Sequence, residues 1–445
     1  MSGTKKSMGN FVTMLVLFPL TIVVNIIVTR ILGPSDKGIF SFLLILGEAL
    51  LPLLYFGFGV GVIYFVSAEK YKAQKVAITL LGVGFIKGII ITGAIYLLWS
   101  NGMLGKTASE ITPEQMLPIL AVLPLSGIMT MANQLFKGCS QFKLTNIITL
   151  SDQVSTALLL IGLVIFSGLE LQGAIWAMVI KKIIATILIL GLVFREHKPT
   201  WEINVPFIKE CYGYGIKAWV GNMATRANEK FDQLILGFFA SSELLGYYSV
   251  AYSLVRFLGF LPQAVSPVMF NMIAKINDLN KSAKMLARVH RVMIIMVGLM
   301  SLGIGISSYW LIPLLYGEAF RAAFIPAIIL LPGMFAYMAS RRIINKYLAA
   351  NGMPGKPSIV EGVGAVVGMI CYLTLIPPFD VIGAAVGSTL AYLISTALAH
   401  YFFNQLIPRG EVNLFRVSFK DLRWMWEKVE NSYGIVRKIR KRVFR

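Results

Sequence analysis

Apolar residues in this chain fall in long runs separated by short polar segments. Runs long enough to cross a bilayer cover 11–31, 40–66, 76–100, 116–136, 146–167 and 172–194. They resume at 213–239, 246–273, 290–312, 325–347, 358–376 and 383–407. A membrane helix needs about 20 apolar residues, so the pattern predicts an all-α polytopic membrane protein with twelve transmembrane helices. Lys5 and Lys6 precede the first run, which is too long for a signal-peptide core and lacks a following small-x-small cleavage site. It reads as a retained first helix.

The segment 195–212, with Pro199, Trp201 and Pro206, reads as a cytoplasmic linker between two sets of six helices, 1–194 and 213–407. The halves echo each other. Leu32-Gly33 followed by Gly38-Ile39-Phe40-Ser41 has a counterpart in Leu236-Gly237 followed by Gly246-Tyr247-Tyr248-Ser249, at offsets of 204 and 208 residues. Repeats of six helices are parallel, so the two lobes are expected to be related by a pseudo-two-fold axis along the membrane normal, with a substrate path between them. Beyond 407, Leu422, Met425, Trp426, Val429, Tyr433 and Val436 share one helical face in a tail, 408–445, with eleven basic and four acidic residues. This predicts a basic amphipathic helix on the anionic lipids of the inner leaflet, or docked on a cytoplasmic partner.

Composition changes the picture in two ways. Of 445 residues 57% are hydrophobic and only 14% charged, against about a quarter charged in soluble domains; a large extramembrane catalytic domain has no room. The formal net charge of +20 suggests nucleic-acid binding until its placement is considered. With the N-terminus inside, the expected cytoplasmic segments hold 29 Lys and Arg, and the outer loops only Arg30, Lys37, Lys106 and Arg321. That is the positive-inside pattern, and it places both termini in the cytoplasm. Cys139, Cys211 and Cys371 are scattered and define neither a metal site nor a disulfide framework.

The chemistry lies in ionisable residues near mid-span: Glu48, Lys87, Asp152, Lys181, Lys182, Arg226, Glu229, Lys230, Asp232 and Arg256. A charge at the bilayer centre costs about 2.5–3.5 kcal/mol on insertion scales, so such groups face a cavity, pair, or snorkel. The seventh helix carries Asn222, Arg226, Glu229, Lys230 and Gln233 at i, i+4, i+7, i+8, i+11, one face of a helix. A helix half polar at membrane depth needs water beside it. The eighth helix repeats the theme with Ser249, Tyr252, Arg256 and Gln263, and the fifth with Thr149, Asp152, Gln153 and Thr156. Six cations against four carboxylates make a net positive cavity, which suits an anionic substrate such as a phosphate. Lys87, Lys181, Arg226, Lys230 and Arg256 are the expected cationic contacts, with Asn25, Asn222, Gln233, Tyr252 and Gln263 as polar lining. Arg341, Arg342 and Glu361 lie near cytoplasmic ends, where snorkelling accounts for them. Prolines and the Gly57-Phe58-Gly59-Val60-Gly61 run mark kinks that packing or hinge motion would use.

Arg30-Ile-Leu-Gly-Pro34 with Gly38-Ile-Phe-Ser-Phe42, Phe56-Gly57, and Asp232 with Gly246-Tyr247-Tyr248-Ser249 resemble the corresponding segments of Wzx-like polysaccharide flippases. These belong to the multidrug/oligosaccharidyl-lipid/polysaccharide superfamily, and the resemblance covers the whole twelve-helix chain. It implies two six-helix lobes alternately open to either side of a bacterial cytoplasmic membrane. It further implies an undecaprenyl-pyrophosphate-linked oligosaccharide moved to the outer leaflet for O-antigen, capsule or exopolysaccharide synthesis, alongside polysaccharide-assembly proteins. The resemblance implies no cofactor beyond coupling to a proton or sodium gradient. Glu48, Asp152, Glu229 and Asp232 are the coupling candidates, because no histidine lies at mid-depth, and Glu229 leads among them. Two departures stand out: residues 11–31 hold no acidic residue, and the two extra C-terminal helices of lipid II flippases are missing.

Two alternatives have stated discriminators. A multidrug-type cation antiporter of the same fold would need a net negative cavity. A glycan polymerase or ligase would need a catalytic set, yet the longest outer loop is about 101–115 and His197, His290 and His400 all fall near cytoplasmic ends.

Overall fold

A computed structural model describes the backbone of residues 3–407 and 412–416, and side chains from residue 22 onward except 48, 50–55, 217, 218 and 220–222. The side chains of Glu48 and Asn222 and most of the tail therefore lie outside the described residues. Described secondary structure is helical throughout. In chain order the helices are α1 (Gly3–Tyr55), α2 (Phe58–Ser67), α3 (Ala73–Ser100), α4 (Lys106–Ser109) and α5 (Pro113–Ala121). They continue with α6 (Leu123–Gly138), α7 (Phe142–Leu160), α8 (Glu170–His197), α9 (Val205–Phe239) and α10 (Ser242–Arg256). The last are α11 (Phe260–Ile273), α12 (Leu279–Tyr316), α13 (Phe324–Ala336), α14 (Arg342–Ala350) and α15 (Gly355–Leu406).

Local chemistry sets the boundaries. The α5 start is a capping box between Thr112 and Gln115, with Pro113 at the first helical position. At α9 the Asn204 side chain accepts from the Phe207 amide at 2.9 Å, satisfying one otherwise orphaned donor. Two very long helices are broken internally. Gly33 interrupts α1 with φ 70°, and Asp380, just after Pro377-Pro378, interrupts α15 with φ 46°. A π-turn, Tyr337–Arg341, joins α13 to α14.

The protein is a multi-pass membrane protein. Among the described residues eight helical segments are long and apolar enough to cross a bilayer. One of them is the whole of α15, 52 residues across the Asp380 break. α9, at 35 residues, has the length but carries Arg226, Glu229, Lys230 and Asp232 in its second half.

The chain forms two compact units that interleave along the sequence. The first comprises Met1–Tyr252, Ser308–Ala327 and Gly368–Ser388; the second comprises Ser253–Ser307, Ile328–Val367 and Thr389–Arg445. In the first unit, small residues let backbones touch, the packing available to helices that gain little from expelling water in lipid. Gly84 of α3 meets Gly127 of α6, Gly57 and Gly61 meet Gly215 and Cys211 of α9, and Gly38 and Pro34 meet Ser242 and Gly246. Phe58, Val62, Leu80, Phe136 and Phe207 form part of its core.

The second unit centres on Met269, Ile273, Leu286, Tyr347 and Phe403, with Leu414 packed in from the start of the tail. Here the structure corrects the snorkelling expectation. Arg341 has no exposed surface and pairs with Glu361 at 3.3 Å, while Asn345 donates to Glu361 at 3.0 Å. The guanidinium lies 4.0 Å from the Tyr337 ring centroid and donates to Ser395. The π-turn supplies the reason: it places Arg341 in the packed interior, where a carboxylate and two rings replace water.

Candidate functional site

The second half of α9, in the first unit, carries Arg226, Glu229, Lys230 and Asp232. Arg226, exposed, reaches Glu229 at 3.4 Å, a one-turn ion pair on the same helix. Tyr252 of α10, nearly buried, donates to the Glu229 main-chain carbonyl at 3.4 Å. Lys230 is half-buried and engaged by neighbours. Asp152 of α7 and Lys181 of α8 form a second half-buried pair at 3.6 Å.

Asp232 occupies a different environment. It has no exposed surface, and its Oδ1 accepts the Gln233 amide at 2.8 Å. Its Oδ2 accepts the Tyr248 hydroxyl at 2.8 Å, with the Ser388 hydroxyl 3.4 Å away. Ser388 also lies 3.0 Å from the Tyr248 hydroxyl and 3.1 Å from that of Tyr372. Two hydroxyls and an amide thus bond the carboxylate, with the Tyr372 hydroxyl behind Ser388, and no ion pair reaches it among the described residues. Lys230, two residues back on the same helix, lies close enough to act on the carboxylate electrostatically. Oxygen-only donors of this kind do not suit a transition metal. No group of three or more His, Cys, Asp or Glu gathers among the described residues.

Lys87 of α3 sits in an aromatic box. Its Nζ lies 4.5 Å from the Tyr212 ring centroid, 5.8 Å from Phe58 and 5.9 Å from Phe56, and it makes no hydrogen bond among the described residues. Cation–π attraction strengthens in a desolvated site and is what holds this ammonium.

The remaining expected residues are dispersed. Asn25 of α1 is exposed in the first unit; Arg256 and Gln263 are exposed in the second. The structure therefore brings together Arg226 with Glu229, Asp152 with Lys181, and Asp232 with Gln233. Sequence reasoning missed Tyr248 and Ser388 as partners of Asp232, and Tyr372 as the partner of Ser388. The available signal was the Pro377-Pro378 interruption of an apolar run, which folds Tyr372 and Ser388 back to one level.

Many-pass helical architecture defines the class, a polytopic membrane protein with a charged face on α9, and the comparisons narrow it. The profile of the polysaccharide biosynthesis protein family matches residues 27–325, and the chain belongs to that family. Among curated relatives, the probable flippase AglR of Haloferax volcanii is 26% identical over 216 residues, 45% of this chain and 44% of that protein. The probable low-salt glycan biosynthesis flippase Agl15 of the same organism is 23% identical over 246 residues, 54% of this chain and 51% of that one. The matches thus span about half the length of these relatives. Among solved structures, lipid II flippase MurJ in an inward closed conformation aligns with TM-score 0.70 at 14% identity, covering 90% of this chain and 88% of that one. An inward-facing multidrug resistance MATE family transporter of the MOP superfamily aligns at 0.69 and 13%, covering 88% and 96%. At such identities these likenesses establish the fold alone.

Proposed function

We propose that the protein is a flippase, a transporter rather than an enzyme, that carries a polyprenyl-diphosphate-linked oligosaccharide from the inner to the outer leaflet for cell-surface polysaccharide synthesis. The observation that carries this reading is the charged face of α9 within a chain of the polysaccharide biosynthesis family. A span bearing Arg226, Glu229 and Lys230 at mid-depth is tolerated only beside an aqueous path. The names of the curated relatives, both flippases, support the substrate class.

The mechanism follows from the same residues. Twelve crossings in two six-helix lobes would alternate about a central path. α1 and α15 each supply two crossings, because 52 residues of helix extend about 78 Å, more than twice the roughly 30 Å hydrocarbon core. Lys87, Lys181, Arg226, Lys230 and Arg256 supply positive charge for an undecaprenyl pyrophosphate head group; Asn25, Asn222, Gln233, Tyr252 and Gln263 supply polar lining. Ion coupling moves from Glu229, which Arg226 already pairs, to Asp232, which is fully buried and held by hydrogen bonds without an ion pair among the described residues. The setting is a bacterial cytoplasmic membrane with both termini inside, beside polysaccharide-assembly proteins. The test is a proteoliposome assay with a fluorescent undecaprenyl diphosphate disaccharide, with and without proton and sodium gradients. Leaflet exchange above empty liposomes is expected. No exchange, together with gradient-driven extrusion of a cationic dye, would replace this reading with a multidrug antiporter.

A further inference from the structure

The seam between α2 and the first half of α9 carries a feature that the charged face does not explain. The two backbones meet at Gly57 against Gly215 and at Gly61 against Cys211. Around these contacts the flanking rings meet face to face. Phe56 stacks on Trp219 at 4.9 Å and 14°, and Tyr64 on Tyr214 at 4.1 Å and 13°. Each stack covers one face of a ring and leaves much of the rest open: Phe56 is 44% exposed, Tyr64 48% and Tyr214 44%. Neither tyrosine hydroxyl bonds to another described residue.

This strip is continuous with the charged face. Tyr212, Trp219 and Arg226 follow one another at seven-residue spacing, nearly the same angular position on a helix. At the level of Tyr212 and Phe56 stands the boxed Lys87 ammonium. At the other end Lys70 and Glu210 pair at 2.7 Å, both partly exposed. A surface meant only for acyl chains needs neither phenol hydroxyls nor an ammonium, and one meant only for a diphosphate needs no flat rings. Aromatic planes beside free hydrogen-bonding groups match a pyranose, which presents an apolar C–H face bounded by hydroxyls; tyrosine and tryptophan supply both halves of that recognition.

We propose that the Phe56–Trp219 and Tyr64–Tyr214 stacks form a carbohydrate-binding strip for the glycan of the transported lipid, with Lys87 at its edge for an acidic group. The inference rests on the flippase reading and adds a subsite to it. The test compares two probes on purified full-length protein in nanodiscs: undecaprenyl diphosphate, and the same lipid bearing an N-acetylhexosamine disaccharide. Wild type binds the glycosylated probe at least tenfold more tightly than the bare one. Trp219→Leu and Tyr64→Leu each remove most of that preference while leaving affinity for the bare lipid within twofold, and Trp219→Phe keeps it. Equal wild-type affinity for both probes, or an undiminished preference in both leucine variants, overturns the strip and leaves the flippase reading standing. Failure of wild type to bind either probe overturns both. Unchanged bare-lipid affinity in the leucine variants also certifies that they are folded.

Discussion

The Tyr248 hydroxyl donates to Asp232 Oδ2 at 2.8 Å, inside a cluster where neither residue has exposed surface. Sixteen residues separate them in sequence, so the contact bridges α9 and α10. Removing the donor with Tyr248→Phe leaves a buried carboxylate oxygen short of its shortest hydrogen bond, at a cost of about 1–3 kcal/mol. A lowered melting temperature in detergent is the readout. Asp232→Asn removes the charge and keeps one accepting oxygen, enough for the Tyr248 bond or the Gln233 bond and not both. In proteoliposomes it abolishes any acceleration by an ion gradient while basal exchange persists. Gradient acceleration surviving in Asp232→Asn would return the coupling role to Asp152 or Glu229.

Arg341 and Glu361 allow a cleaner energetic test. Arg341→Met takes the guanidinium away from the largely buried Glu361, and breaking a buried pair from one side costs about 3–5 kcal/mol. The double variant Arg341→Met, Glu361→Leu removes both charges and recovers most of that loss. A double-mutant cycle on thermal unfolding measures the coupling; simple additivity would show that the pair is energetically idle.

A hydrogen-bond relay fastens the start of the tail. His290 Nδ1 lies 3.1 Å from the Leu414 carbonyl, which can only accept, so that nitrogen carries the proton. His290 Nε2 then accepts from Ser340 at 2.8 Å, and Ser340 accepts from His400 Nε2 at 2.6 Å. Phe415 stacks on His400 at 5.3 Å. Ser340→Ala removes the hydroxyl that hydrogen-bonds both imidazoles. Proteolytic cleavage near residues 412–416 is expected to accelerate several-fold, with the rest of the chain protected as in wild type. Equal cleavage rates would show that the Arg291 bond to the Asn413 carbonyl and the apolar packing of Leu414 suffice to fix the segment.

Gly57 combines two constraints: φ 75° and contact with the Gly215 backbone. A side chain in left-handed conformation costs about 1–2 kcal/mol, and a Cβ would also overlap the Gly215 carbonyl. Gly57→Ala should therefore lower the melting temperature more than Gly215→Ala, which meets only the overlap. Gly93→Ala, with open space around it, should be neutral or slightly stabilising because alanine is the better helix former. Indistinguishable melting temperatures for all three would mean that α2 and α9 do not pack this closely.

Long apolar runs suffice to specify a many-pass helical protein, because hydrocarbon demands that each backbone amide bond within its own helix. The same constraint made the charges of α9 conspicuous, and the Arg226–Glu229 pair could be anticipated from a three-residue spacing. Family resemblance was likewise carried by short local motifs around Gly33 and Gly246. Partners distant in sequence were not legible. Nothing in the order of residues says that Ser388 meets Asp232 across 156 positions, or that Lys87 ends among Phe56, Phe58 and Tyr212. Arg341 read as a snorkelling residue because a helix repeat cannot reveal a π-turn that redirects one side chain inward. Periodicity records which face of a helix is polar; which carboxylate has an ion-pair partner and which is enclosed by hydrogen bonds depends on what other helices bring to that face, and only the tertiary structure decided it.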